Sequence, residues 1–320
     1  MDSPTAIAQA IHTTEGNSAY DAACKKILSN KIILAWIMKS CLEEYRDLDV
    51  TEIAEKYIEG IPSISEEPVF PDDAGPLIQG ADTTDKSLTE RTVTYDISFR
   101  AVAPGFEELI ELYINVEAQK KFNPGYPLLK RGIYYCSRMI SRQSNRDFID
   151  SHYEKIKKVY SIWVCLNSPE SRKNTISRYR MTEESLVGDV KEPTANYDLL
   201  SVVMICLGGP EEEHYEGVLK LLHTLLSNET SEKEKQEVLE NEFDIPMTRE
   251  LESEVSTMCN LSQGIAEKNR QEGHQEGLID GILFALKNLM ESTGMNIEQA
   301  MAALKLPEAD RAKYRKLVAE

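Results

Sequence analysis

Thr92-Val-Thr-Tyr-Asp-Ile-Ser-Phe99 and Leu112-Tyr-Ile-Asn-Val-Glu-Ala-Gln-Lys120 are the two segments that decide the fold of this chain. Both are rich in β-branched and aromatic residues and nearly alternate in polarity, a pattern that predicts short strands. Each carries an acidic residue, Asp96 or Glu117, where an unpaired carboxylate would be costly. Gln119 follows Glu117 by two residues, so both lie on one face of a strand. If Asp96 comes from a neighbouring strand, two carboxylates and an amide converge on a divalent-cation site.

The spacing of these residues alone leaves another interpretation open. Asp96 would then cap a turn, and Glu117 would pair with Lys120 or Lys121 on a solvated strand edge. A D…ExQ pattern is too short to decide between a metal site and a surface ion pair.

The residues around this pattern favour the metal site. The stretch TVTYDISFRAVAPGFEELIELYINVEAQKKFNPGYPLLKRGIYYCSRMISRQ, residues 92–143, resembles the PD-(D/E)XK nuclease superfamily. It is most similar to the Rpn-like recombination-promoting nucleases, also described as PD-(D/E)XK nuclease family transposases. VYSIWVCLN at 159–167 and MTRELESEVSTMCNLSQGI at 247–265 follow in the order of that branch. The resemblance covers residues 20–265. It implies a cytoplasmic endonuclease that hydrolyses DNA with Mg²⁺ or Mn²⁺, in recombination or in mobile elements.

The resemblance also implies roles for individual residues. In the superfamily the Asp and the Glu hold Mg²⁺, which makes Asp96 and Glu117 metal ligands, with the backbone carbonyl of Ala118 as a further ligand. The third position is usually Lys, but here it is Gln119, as is common in the Rpn-like branch. Gln is neutral and cannot act as a base, although it can position a water molecule. A helix carboxylate often joins the metal ligands; Glu44 is the candidate, against the ordinary expectation of a solvated glutamate.

The distribution of charge restricts the nucleic-acid surface of the chain. The formal net charge of −18 argues against indiscriminate binding to duplex DNA. Residues 91–180, however, contain 16 Lys and Arg against 9 Asp and Glu, whereas the rest of the chain contains 20 against 45. Positive charge is therefore concentrated around the predicted site. The alternative is a central segment that is merely less acidic.

A helix predicted from about residue 127 to residue 143 carries a basic and aromatic stripe, with members three and four residues apart. The stripe consists of Arg131, Tyr134, Tyr135, Arg138 and Arg142. Guanidinium and phenol groups suit contacts with phosphates and bases, so the stripe, together with Lys120 and Lys121, is the predicted DNA-binding surface. In the alternative, the tyrosines pack in the core and the arginines are solvated.

Several other classes of protein are disfavoured by the sequence. Six cysteines are scattered at 24, 41, 136, 165, 206 and 259 without a CxxC pair, which predicts reduced thiols and no zinc site. No P-loop, GxGxxG, HExxH or GxSxG motif occurs. No apolar run approaches the length of a membrane span, and the first residues lack the pattern of a signal peptide. We therefore expect a cytoplasmic protein without a membrane partner.

The order of the elements predicts an α/β fold. With the resemblance, helix, strands, helix and strand indicate a restriction-endonuclease-like mixed sheet flanked by helices, with a C-terminal helical extension. Apolar runs at 159–166 and 199–207 predict strands buried on both faces. The predicted divisions are a flexible N-terminus, a nuclease-like domain, a helical extension packed on the core, and a helical tail, at 1–19, 20–210, 211–265 and 266–320.

The tail contains two further patterns. Gly273, Gly277 and Gly281 are four residues apart, and small residues at this spacing permit close helix contact and a homo-oligomer through the C-terminal helices. The alternative is a weakly helical connector, destabilised by about 1 kcal/mol per glycine. Asn296 and Gln299 match a capping box that predicts a last pair of helices at 297–304 and 308–318.

A rival interpretation keeps the fold and removes the catalysis. The chain would then be a catalytically weak or inactive nucleic-acid-binding or interaction protein. The intact pair Asp96 and Glu117 argues against it, whereas Gln119 and the strong negative charge argue for it. RNA in place of DNA also stays open as the substrate.

Overall fold

A computed structural model describes residues 19–64, 84–85, 93–94, 96–104, 110–119, 122–144, 146–227 and 229–319. For residues 110–119 the description covers the backbone alone. The chain divides into two compact units, Met1–Leu261 and Ser262–Glu320. The predicted N-terminal segment 1–19 lies outside the described residues apart from its last position.

The first unit begins with short helices that supply much of its core. Helix α1 covers residues 19–28, and helix α2 covers Lys31–Cys41. Asn30 caps α2 by accepting the backbone N–H of Ile32 at 3.1 Å, as expected for an N-cap asparagine. A 3₁₀ turn at Glu43–Tyr45 follows, and then helix α3 at Val50–Glu52, which continues as a π-helical turn at Ile53–Tyr57. Helices thus precede the sheet, as in the predicted order of elements.

A six-stranded mixed sheet forms the centre of the first unit. Its order is β1-β4-β5-β6-β8-β7, with β5, β6 and β8 parallel and the other pairs antiparallel. Strands β2 and β3 pair separately. The bounds are Ser63–Ile64 for β1, Thr84–Asp85 for β2, Val93–Thr94 for β3, Ile97–Ala103 for β4, Ile110–Gln119 for β5, Val159–Cys165 for β6, Thr175–Arg180 for β7 and Leu200–Cys206 for β8. The predicted mixed α/β class is confirmed.

Helix α4, Leu128–Arg142, connects β5 to β6 and packs on one face of the sheet. Its start after Pro127 agrees with the prediction, since proline is common at the first turn of a helix. A Cβ atom on Gly132 would lie 2.6 Å from Cγ1 of Val202 and 3.0 Å from Nε1 of Trp163. The lack of a side chain at this one position therefore lets α4 approach the sheet closely. All seven residues of β6 are buried, as the apolar run predicted.

Three helices follow the sheet: α5 at Gly217–Leu226, α6 at Glu232–Phe243 and α7 at Arg249–Thr293. A fully buried lysine of α6, Lys235, donates to the carbonyl oxygens of Leu225 and Ser227 at 2.8 and 2.9 Å. The ammonium group therefore satisfies carbonyl groups at the C-terminal end of α5, which have no partner within that helix. Helix α7 continues without a break past residue 265, the predicted division between the helical extension and the tail.

The second unit contains the end of α7 with α8, Ile297–Ala303, and α9, Glu308–Ala319. Its core is formed by Leu286, Ala300, Met301, Leu306 and Tyr314. The predicted capping box is confirmed, because Asn296 accepts from the backbone of Gln299 and the Gln299 side chain accepts in return.

Gly273, Gly277 and Gly281 in α7 are exposed. A Cβ atom on Gly273, Gly277 or Gly281 would meet no atom of the described residues within 4 Å. Oligomer formation through these glycines stays a prediction. Among the described helices, none combines the length and the hydrophobicity needed to cross a bilayer.

Candidate functional site

The register of two neighbouring strands positions the predicted metal ligands. Ile97 in β4 is paired with Val116 in β5 across an antiparallel ladder. Asp96 directly precedes Ile97 and Glu117 directly follows Val116, so continuing the register brings Asp96 level with Glu117. Gln119 is the last residue of β5. The metal and catalytic roles of these residues and of Ala118 stay predictions.

Asp96 already contacts a positive group that the sequence did not suggest. Oδ1 of Asp96 lies 3.0 Å from Nζ of Lys25 in α1, and the two side chains are only 19% and 16% exposed. Lys25 also lies 3.2 Å from the carboxylate of Asp21, one helical turn earlier. Burial lowers the pKa of Lys25, but the charges of Asp96 and Asp21 raise it by more, so the net pKa is above its ordinary value. The amine at Asp96 is therefore a cation at neutral pH.

Glu44 has partners that differ from those predicted. Its carboxylate accepts the hydroxyl hydrogen of Tyr160, whose Oη lies 2.8 and 2.9 Å from the two carboxylate oxygens. Nζ of Lys158 lies 3.3 Å from Glu44 and 2.9 Å from Asp198. Burial and the charge of Glu44 raise the pKa of Tyr160, which keeps its hydroxyl protonated as a donor. The carboxylate is thus held by hydrogen bonds within the protein.

The position of Tyr160 in the sheet separates Glu44 from the predicted metal site. Tyr160 is paired with Ile114, whereas Trp163 is paired with Glu117. These two pairs are an odd number of residues apart and therefore lie on opposite faces of the sheet. The sequence grouped Glu44 with Asp96 and Glu117, but the structure holds it against Tyr160. A helix carboxylate near a chain turn gives no local signal of such a distant partner.

Arg131 is the member of the α4 stripe with the best-defined surroundings. Its guanidinium carbon lies 5.0 Å from the ring centre of Tyr135 and 5.2 Å from that of Trp163. Its N–H groups donate to the hydroxyl oxygens of Tyr135 at 3.0 Å and Tyr126 at 3.1 Å. Trp163 is the register partner of Glu117, so Arg131 adds positive charge to the part of the sheet that carries the predicted metal ligands.

The other members of the stripe divide between the interior and the surface. Tyr135 and Arg138 are each 5% exposed, because α4 turns this side towards the sheet. The sequence predicted that both contact DNA, but the structure buries them instead. Arg142 is half-buried and Tyr134 is 45% exposed, so these two reach the surface.

Two further predicted contacts, Lys120 and Lys121, lie outside the described residues. The DNA-binding roles of Lys120, Lys121, Arg131, Tyr134 and Arg142 stay predictions. Among the residues whose side chains are described, no group of three or more His, Cys, Asp or Glu side chains is arranged to hold a metal ion. The side chains of Glu117 and Gln119 are not among those residues.

Comparisons with protein-family models, with curated proteins and with solved structures find no match to this chain. The fold and the site define a mixed α/β protein with a half-buried Lys25–Asp96 ion pair next to the start of strand β4.

Proposed function

We propose that this protein is a Mg²⁺-dependent endonuclease that hydrolyses phosphodiester bonds in DNA, with a sheet of the PD-(D/E)XK type. The observation that carries the proposal is the pairing of Ile97 with Val116, because Asp96 directly precedes Ile97 and Glu117 directly follows Val116. The order of a helical segment, antiparallel β4 and β5, α4 and a parallel β6 also agrees with the resemblance in sequence. An association with recombination or mobile elements follows from the resemblance alone.

The donors at this position suit a hard divalent cation. Asp96 offers carboxylate oxygens, and Glu117 would add another carboxylate, which is the ligand type that Mg²⁺ and Mn²⁺ prefer. The metal would supply positive charge to the phosphoryl group and lower the pKa of water.

The residues of the chain have distinct roles in this proposal. Asp96 and Glu117 hold the metal, together with the carbonyl oxygen of Ala118. Gln119 donates or accepts a hydrogen bond and so orients the attacking water, but it takes up no proton. Arg131, fixed by Tyr126 and Tyr135, binds a backbone phosphate of the DNA and fixes its register.

A plasmid-nicking assay tests the proposal. The wild-type protein should convert supercoiled plasmid to nicked or linear forms with Mg²⁺ or Mn²⁺ and not with EDTA. Asp96→Asn, which keeps the size of the side chain, should lower the rate by at least about 100-fold. Asp189→Asn, in an exposed loop, is the matched control and should cleave at the wild-type rate. A wild-type rate in Asp96→Asn would reject the proposal.

The Lys25–Asp96 ion pair favours a second candidate function. Asp96 is neutralised by a protein cation, so the same fold is also compatible with a nucleic-acid-binding protein that needs no metal. Such a protein would bind duplex DNA or RNA equally well in Mg²⁺ and in EDTA and would cleave neither. Binding measured by fluorescence anisotropy under both conditions, beside the nicking assay, separates the two functions.

A further inference from the structure

The proposed reaction needs a positive group that strand β5 does not provide. Negative charge develops on the oxygens of a phosphoryl group during transfer, and preorganised cationic donors stabilise it. The third position of the D…ExQ pattern is Gln119, which is neutral. If the site contains a positive group besides the metal, that group must therefore come from another element of the protein.

Lys25 is a described cation in direct contact with Asp96, one of the two strand residues predicted to hold the metal. It projects from α1, and its Nζ is 3.0 Å from Oδ1 of Asp96. A second carboxylate, Asp21, lies 3.2 Å from the same nitrogen and is 37% exposed. Two acceptors thus fix the position of the ammonium group, whose three N–H bonds leave one directed elsewhere. Its stem is largely buried, which reduces the number of conformations that it can adopt.

We propose that Lys25 is a catalytic residue of the site, where it holds Asp96 in position and donates an N–H to the scissile phosphate of the DNA. This inference rests on the proposed nuclease function and assigns to α1 the positive charge that Gln119 lacks. The group remains protonated throughout: it transfers no proton, and it stabilises the charge on the non-bridging oxygens.

Arg131, the other cation assigned a role in the proposed function, is held in a different way. The N–H groups of Arg131 are directed to the hydroxyl oxygens of Tyr126 and Tyr135, and its plane lies over aromatic rings. Arg131 is thus suited to a phosphate beside the site, whereas Lys25 contacts the predicted metal ligand itself.

The test compares five proteins in Mg²⁺-dependent cleavage of supercoiled plasmid. Lys25→Met keeps the stem and removes the charge, and Lys25→Arg keeps the charge. Lys26→Met is the matched control, since Lys26 is the neighbouring residue, is 60% exposed and pairs with Glu254 instead. Wild type completes the set, with Asp96→Asn as the inactive reference. Circular dichroism and thermal unfolding check that each variant folds, and Lys25→Gln replaces Lys25→Met if the latter does not.

We expect Lys25→Met to lower kcat by about 100-fold or more, the cost of removing one preorganised donor. The KM of Lys25→Met for the plasmid should change little. Lys25→Arg should have a kcat at least about tenfold above that of Lys25→Met. The kcat of Lys26→Met should equal that of the wild type. The affinity for Mn²⁺, measured by calorimetry, should stay level or rise in Lys25→Met, because a positive charge beside Asp96 is removed.

Several results would overturn the inference. An unchanged or higher kcat in Lys25→Met would show that the lysine is unnecessary or blocks the site. If Lys25→Met loses both Mn²⁺ binding and cleavage, and Lys25→Arg restores neither, then Lys25 is only a structural partner of Asp96. If the wild type is active and Asp96→Asn is inactive, either result would reject the role of Lys25 and would still support the nuclease function. A wild type that cleaves no plasmid would reject both proposals together.

Discussion

Ile97 is paired with Val116 across strands β4 and β5, and this single register relationship aligns the next residue on each strand, Asp96 and Glu117. A shift by one residue would move the Glu117 position to the other face of the sheet. The buried side chains of Ile97 and Phe99 oppose such a shift, since it would expose them to water. The packing of β4 thus specifies the geometry of the candidate site.

Arg131→Gln and Arg142→Gln should weaken binding to duplex DNA and flatten its dependence on salt. Each lost phosphate contact removes about one unit from the slope of log K against log salt concentration. Fluorescence anisotropy over a range of salt concentrations measures both quantities. Unchanged affinity and slope in the two variants would indicate that α4 does not contact DNA.

Arg138→Gln should behave differently from those two variants. Arg138 is 5% exposed, so its replacement should leave the salt slope unchanged. Removal of a buried charged hydrogen-bonding group should instead lower the free energy of unfolding by about 1–3 kcal/mol, measured by urea denaturation. A reduced salt slope with unchanged stability would indicate that Arg138 contacts DNA.

Tyr160→Phe tests the role of Glu44. Because the Tyr160 hydroxyl donates to both oxygens of Glu44, its loss should lower the free energy of unfolding by about 1.5–3 kcal/mol, as for hydrogen bonds to charged groups. Tyr153→Phe, on a side chain that is 65% exposed, is the matched control and should unfold like the wild type.

Glu44→Gln completes this test. It should also lower stability, and it should leave the Mn²⁺ affinity unchanged, because the structure holds Glu44 against Tyr160 and Lys158. Titration calorimetry measures the affinity. Weaker Mn²⁺ binding in Glu44→Gln would make this residue a metal ligand after all.

Lys235→Met should change how stability depends on pH. Burial lowers the pKa of Lys235 in the folded protein, while the unfolded chain keeps a value of about 10.4. Between these two values the unfolded state binds more protons at this site, so the stability of the wild type rises with pH. The destabilisation caused by burying the charged Lys235 is complete below the pKa of Lys235 in the folded protein. It disappears as the pH approaches the pKa of this lysine in the unfolded chain.

The difference in unfolding free energy between wild type and Lys235→Met should therefore grow in favour of the wild type as the pH rises from neutral towards about 10. Lys233→Met, on a side chain that is 86% exposed, provides the control with a flat difference. If the stability difference between wild type and Lys235→Met is also independent of pH, burial does not change the pKa of Lys235.

Elements with strong local signals were predictable from the sequence. The apolar run at 159–166 contains strand β6, whose residues are all buried. The capping box at Asn296 and Gln299 depends on residues three apart in the chain, and the structure contains both of its hydrogen bonds. Such signals depend on neighbouring residues, so no knowledge of the tertiary structure is needed.

Partners that are distant in the chain were not predictable. The carboxylate of Glu44 and the hydroxyl of Tyr160 are 116 residues apart in sequence, and Lys25 meets Asp96 from a separate helix. The separation of the residues in each pair does not match the period of a helix or a strand, so no sequence pattern indicates the contact. The stripe lies on the predicted helix α4, but helical spacing does not tell which side of that helix faces the sheet.

The cleavage rate of Glu117→Gln is the most direct test of the central claim, that Glu117 and Asp96 hold a catalytic metal. The substitution removes a charge and keeps the shape and hydrogen-bonding capacity of the side chain. If Asp96 and Glu117 share a metal, their carboxylates repel each other without it, so stability without metal should stay level or rise. Glu184→Gln, in an exposed loop, is the control. We predict that Mg²⁺-dependent plasmid cleavage by Glu117→Gln falls by orders of magnitude. Full Mg²⁺-dependent cleavage by this variant would contradict the claim.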